Sequence, residues 1–142
     1  MRVLAVDFGE KRVGLAVSDG TGEIVVPVGV VPRRSDAQAA AEVVAAARER
    51  EVERLLVGLP VRPDGGGDSA FAARARSFAR KLAELSGLPV DLHGEALTSV
   101  AAEGALRDAG VPRARRAAAL DAEAAAELLR DWLSTRPGGP GA

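Results

Sequence analysis

The first thirty-one residues hold three apolar runs separated by turns too short for a crossover, and this limits how the chain can begin a sheet. Alternation in Arg2 to Val6, Val13 to Val17 and Ile24 to Val31 has the period of strands, and turn signals fall at Gly9 and at Gly20 to Gly22. Parallel neighbours need a connection of about a dozen residues, so links this short predict an antiparallel meander. An acid, Asp7, ends the first run and is followed by a glycine turn and two cations, Lys11 and Arg12. A carboxylate at a strand end beside a glycine suits a metal ion or a phosphate. The strand fixes the ligand, and the missing side chain leaves room for a bulky group.

Beyond the meander the period changes. Ser35 and Gln38 form a capping box, and Ala40, Val43, Val44 and Ala47 make one apolar face of a helix ending near Arg50. Arg54 to Leu59 is a continuous apolar run stopped by Pro60, the pattern of a strand covered on both faces. A loop rich in glycine and aspartate, Arg62 to Asp68, leads to a helix in which Phe71, Ala75, Phe78, Leu82 and Leu85 share a face, and Gly87 and Pro89 end it. Pro89 to Leu92 reads as a short strand, followed by Gly94, Glu95 and Ala96. Thr98 can cap a helix closing at Gly110 and Pro112, and Leu120, Ala124, Leu128 and Leu133 define a last helix. Residues 1–134 read as one domain, and the proline and glycine tail, residues 135–142, as disordered.

Composition narrows the class. With 47% hydrophobic and 27% charged residues, the chain can build a core under a solvated surface. The absence of cysteine excludes disulfides and thiolate metal sites. Met1 to Leu4 enter the first strand directly, and Asp7 interrupts the apolar run well before a signal peptide or membrane span could form. A cytoplasmic location and no membrane partner are expected. A net charge of −1 argues against nonspecific coating of nucleic acid but permits a local basic patch.

Two families begin with a strand, an acid and a glycine turn: the sugar-kinase and actin-like ATPases, and the ribonuclease H-like nucleases. The ATPases clamp nucleotide between two lobes, whereas 142 residues make one domain of ordinary size, which favours the nuclease reading. The order of elements agrees. It predicts an α/β ribonuclease H-like fold: a central mixed five-stranded sheet, three antiparallel strands and then parallel ones, flanked by helices.

In that order Asp7 ends the first strand, Glu95 lies just past the last, and Asp121 sits near the start of the final helix. Sites in open α/β sheets form outside the carboxyl ends of the strands, so the three acids could converge. Phosphodiester hydrolysis needs an activated water, shielding of the phosphate charge and stabilisation of a leaving oxygen. Two Mg²⁺ or Mn²⁺ ions roughly 3.5 to 4 Å apart can supply all three through oxygen ligands. Crowded carboxylates otherwise repel one another, so the cluster makes sense with one or two cations bound. Each acid also has a plain structural role open to it: Asp7 as a turn cap, Glu95 as a loop acid, Asp121 as a charge near the positive end of a helix.

A set of motifs carries a closer likeness. Asp7, Gly9, Lys11, Arg12, Gly14, Ala16, Ser18 and Asp19 come first, then Val57 to Pro60 with Asp64 and Gly65, then Arg74, Phe78 and Ala79. Glu95, Leu97 and Thr98 follow, and Asp121, Ala124 and Ala125 close the set. Together they resemble the YqgF family, also called RuvX, described as Holliday junction resolvases or pre-16S ribosomal RNA nucleases. The resemblance spans residues 1 to about 133. It implies a metal-dependent nuclease with a RuvC-like fold, in which Asp7, Glu95 and Asp121 occupy the catalytic and metal-binding positions. Members of the family usually carry an acid before and an arginine after the glutamate, where this chain has Gly94 and Ala96. Loss of such neighbours commonly costs about ten- to a hundredfold in affinity or activity.

Nucleic-acid contacts require cations near the acids. Lys11 and Arg12 leave the first turn, Arg74 and Arg76 lie on the second helix, and Arg113, Arg115 and Arg116 precede Asp121. Such residues bind the phosphate backbone and set register without reading bases. Trp132 and three phenylalanines are the only aromatics, so base stacking is limited and Phe71 and Phe78 belong to the core. The expected partner is structured RNA or branched DNA bound by shape, and junction cleavage would call for a homodimer. His93 reads as structural, Asp64 as a turn residue and Asp19 as closing a hairpin. Ser18 lacks a base to make it a nucleophile, and no lysine follows Gly65 to Gly67 to make a phosphate loop. Two other readings stay open: a noncatalytic nucleic-acid-binding module and a nucleotide-binding domain like those of the actin-like ATPases.

Overall fold

The short links of the first thirty residues do produce a meander. In the computed structural model, which describes residues 1–60, 70–95 and 113–135, β1 (Val3–Phe8), β2 (Arg12–Ser18) and β3 (Val25–Pro32) pair antiparallel in sequence. The turn after β1 is tight: Gly9 N–H donates to the Arg12 carbonyl at 3.0 Å, and a side chain at Gly9 would stand 2.4 Å from that oxygen. The second turn is tied by Asp19. Its carboxylate accepts from the Thr21 hydroxyl and from the amides of Gly22 and Ile24.

Helix α1 (Asp36–Glu49) starts at the expected capping box, in which the Ser35 side chain accepts from Gln38 N–H and the Gln38 side chain returns to the Ser35 amide. It carries the chain over to β4 (Arg54–Pro60), parallel to β1, and α2 (Ala70–Ser86) carries it on to β5 (Val90–Glu95), parallel to β4. Helix α3 (Arg113–Thr135) closes the described chain. The sheet order is β3-β2-β1-β4-β5, so the fold is the anticipated mixed five-stranded α/β architecture with β1 at its centre. The loop holding Asp64 and Gly65 to Gly67, the helix expected from Thr98 to Gly110, and residues 136–142 of the tail lie outside the described residues.

Alternation along β1 sorts two cores. Leu4, Val6 and Phe8 join Val13, Leu55, Val57, Val43, Phe78 and Leu82 under α1 and α2. Val3 and Ala5 join Ala16, Leu56, Ala125, Leu129 and Trp132 under α3. Each fully buried side chain of this size contributes about 1.5–3 kcal/mol, so both faces of the central strand are strongly committed. Among the described residues no helix is long and apolar enough to cross a membrane.

Candidate active site

Asp7 has the parity of Val3 and Ala5, so it belongs to the α3 face of the sheet, half-buried one residue before β1 ends. The strand runs on to Phe8 because that residue still pairs with Val13. Opposite Asp7 in the ladder is Gly14. A Cβ built on Gly14 would stand 2.0 Å from the Asp121 carbonyl oxygen and 2.5 Å from its carbon. The backbone of α3 therefore rests directly on β2 at this point, and only glycine permits it. Because directly paired strand residues lie roughly 5 Å apart, the contact brings Asp121 to the strand pair that carries Asp7.

Asp121 is not near the start of its helix, as its position in the sequence implied. It lies more than two turns in, since α3 begins at Arg113. Its side chain meets Arg12, whose Nε donates to Oδ2 at 2.6 Å, with exposures of 36% for Arg12 and 30% for Asp121. Arg12, expected as a phosphate contact, is thus tied to one of the expected metal carboxylates.

Glu95 is the last residue of β5 rather than the first beyond it, held there by pairing with Pro60. Position 95 shares the parity of Asp91 and His93, but β5 is separated from β1 by β4. With strands about 4.8 Å apart and a rise of about 3.3 Å per residue, the backbones of Asp7 and Glu95 are roughly 12 Å apart. Asp7 and Asp121 are brought together, and Glu95 stands at the same carboxyl rim two strands away. Among the described residues no group of three or more histidine or carboxylate side chains is arranged to hold a metal ion. The apposed pair nevertheless fits a hard cation chemically: both donors are carboxylates, and Mg²⁺ commonly takes one or two of these and completes its shell with water and phosphate oxygens.

The expected cations fall on both sides of the sheet. Lys11 is exposed in the turn after Asp7. Arg113, Arg115 and Arg116 form the first turn of α3, on the chain that leads to Asp121. Arg74 and Arg76 belong to α2, which packs on the opposite face. Arg74 lies 5.9 Å from the Phe8 ring centroid, 5.9 Å from that of Phe71, and 3.8 Å from Asp36. Sequence reasoning missed Arg33. Its guanidinium sits 4.9 Å from the Phe8 centroid and bonds Asp36 and the carbonyls of Gly9 and Glu10, bracing the turn beside Asp7. The only signal was its place just ahead of the capping box.

Other polar residues have partners within the fold. His93 Nε2 lies 2.6 Å from Asp131 Oδ2, linking β5 to α3. Ser18 is 2% exposed, and its Oγ accepts from Val3 N–H at 2.9 Å. The Asp19 carboxyl is held below its ordinary pKa, first by the Thr21 hydroxyl, against desolvation as the next largest effect, with the amides of Ile24, Gly22 and Glu23 lowering it further.

A mixed sheet in this order, with an acid near the end of its central strand and a carboxylate brought to it from the last helix, defines a ribonuclease H-like α/β protein. The fold is similar to the Thermus thermophilus RuvC structure, with TM-score 0.53 and 18% identity, covering 94% of this chain and 95% of that one. It is similar also to the fowlpox virus resolvase in complex with substrate Holliday junction DNA, with TM-score 0.57 and 10% identity, covering 94% and 99%. In sequence, residues 1–135 match the family described as "RuvX: Holliday junction resolvase". A protein of Anaeromyxobacter dehalogenans named "Putative pre-16S rRNA nuclease" is 42% identical over 136 residues, 96% of this chain and 98% of that protein. The chain belongs to the RuvX family of nucleases and resolvases.

Proposed function

We propose that this protein is a divalent-metal-dependent endonuclease acting in the cytoplasm on structured nucleic acid, in 5′-end processing of pre-16S ribosomal RNA, in junction resolution, or in both. The reading is carried by one observation: the α3 backbone at Asp121 rests on Gly14, the ladder partner of Asp7. The name of the 42% identical relative and the junction bound to the fowlpox resolvase support the substrate class.

Asp7 and Asp121, with Glu95 at the same rim, would hold one or two Mg²⁺ or Mn²⁺ ions through carboxylate oxygens. When bound, the ion supplies an acidified water and shields the phosphate charge. Asp7 pairs with Gly14 of β2, one residue beyond the last pair of β1 with β4, so its backbone is fixed before substrate arrives. Lys11 and the arginines at positions 113, 115 and 116 take the backbone phosphates, which makes binding fall as salt rises. Arg74 and Arg76, on the far face, engage phosphates beyond the scissile one. Paired incision of a junction would require a two-fold dimer to supply two such centres.

The test is cleavage of labelled pre-16S leader RNA and of a four-way DNA junction, with and without Mn²⁺. Asp7→Asn is expected to lower Mn²⁺-dependent cleavage by about a hundredfold or more, as for loss of a central electrostatic group, while folding and nucleic-acid binding persist. Undiminished cleavage by that variant refutes the assignment. Binding by the wild-type protein with no Mn²⁺-stimulated cutting leaves the binding-module reading in its place.

A further inference from the structure

We infer that Arg12 is a positioning residue for the proposed metal carboxylate Asp121, fixing one carboxylate oxygen so that the other is left for the ion; this rests on the metal-site reading above. The guanidinium Nε donates to Oδ2 at 2.6 Å across 109 residues of sequence, at the short end for a charge-assisted N–H···O bond. Among the described residues Oδ1 of Asp121 accepts no hydrogen bond, and the two terminal nitrogens of Arg12 have no protein partner.

The surroundings of Arg12 separate this contact from an ordinary surface ion pair. The carbonyl of Arg12 is locked by Gly9 N–H, in a turn whose closeness excludes any side chain at Gly9. Two residues along β2, Gly14 receives the backbone of Asp121 itself. Asp121 is thereby gripped at its main chain and at Oδ2 by the strand that also pairs with Asp7. An acid on a separate helix needs such a grip, because without it the repulsion of Asp7 would turn the carboxylate away.

Two accounts of Arg12 predict opposite signs. A cation that merely neighbours the site repels a metal ion, so its removal tightens metal binding. A cation that orients a ligand raises affinity, and losing such a partner weakens binding by about ten- to a hundredfold.

The experiment is calorimetric titration of the metal-free full-length protein with Mn²⁺, without nucleic acid, alongside thermal melts and circular dichroism. It uses the wild type, Arg12→Gln, Arg12→Lys, Asp121→Asn and the double variant Arg12→Gln/Asp121→Asn. The expected result is weaker Mn²⁺ binding by about ten- to a hundredfold in Arg12→Gln with secondary structure unchanged. Arg12→Lys, which keeps the charge but not the planar donor, should recover only part. Asp121→Asn should weaken binding, with no further loss on adding Arg12→Gln. Equal or tighter binding by Arg12→Gln, or losses that add in full, overturns the inference and leaves the metal site standing. Should Arg12→Gln fail to fold, Arg12→Lys decides the same question, with wild-type affinity counting against positioning. A wild-type protein that takes up no Mn²⁺ overturns the metal reading itself, and this inference with it.

Discussion

A methyl group at position 14 is the smallest change that pushes α3 away from the strand carrying the site. In Gly14→Ala the new Cβ would stand 2.0 Å from the Asp121 carbonyl oxygen, 2.5 Å from its carbon and 3.2 Å from Ala122 N, whereas real Cβ contacts essentially never fall below 3.0 Å. The atoms in the way belong to the backbone, so no rotamer change relieves the clash, and the helix must retreat by about 1 Å or β2 must bend. Ala122, Ala125, Ala126 and Leu129 are buried at this interface and resist the movement. Overpacking of a tight core costs about 1–3 kcal/mol, and a backbone clash belongs at the upper end. For a domain of this size each kcal/mol lowers Tm by roughly 2–4 °C, giving a fall of about 6–12 °C. A misplacement of about 1 Å in a catalytic group costs about a hundredfold in rate. Urea and thermal melts would measure the first effect. Mn²⁺-dependent cleavage, assayed well below the melting range of the variant, would measure the second. Gly20→Ala serves as the control, since its Cβ meets nothing within 4 Å and should change neither. Wild-type stability and cleavage in Gly14→Ala would refute the argument that α3 is docked through this glycine.

Ser18→Ala removes the acceptor for the buried Val3 N–H, bonded at 2.9 Å, and should cost about 1–3 kcal/mol in urea unfolding without altering nucleic-acid affinity; an unchanged midpoint would show the bond to be dispensable. Asp19 has a lowered folded-state pKa, so its contribution to stability is full above its ordinary value and is lost as pH falls through the lowered one. The stability gap between the wild type and Asp19→Asn should therefore hold above about pH 5 and close on further acidification. A gap independent of pH would contradict the assignment of that pKa.

What the residues revealed by themselves was local. The capping box at Ser35 and Gln38 and the short turns of the meander are written in neighbouring residues and formed where the pattern indicated, and α2 buries Ala75, Phe78 and Leu82 of its expected face while Leu85 stays exposed. The identities of Asp7, Glu95 and Asp121 as candidate ligands were legible too, because an acid at the edge of an apolar run is conspicuous. Element ends were less so: β5 extends to Glu95 through its pairing with Pro60, and α3 begins at Arg113, more than two turns before Asp121. Arg12 looked like a free phosphate contact until α3 brought Asp121 against it, and Arg33 carried no periodic signal to mark it as the brace of the first turn. Periodicity and capping act over a few residues and leave a trace in the sequence. The docking of α3 on Gly14 depends on two surfaces meeting across 106 intervening positions of the chain, and such a meeting leaves no local pattern. The tertiary structure alone decided which two acids stand together and which cation holds one of them, because both follow from how layers pack.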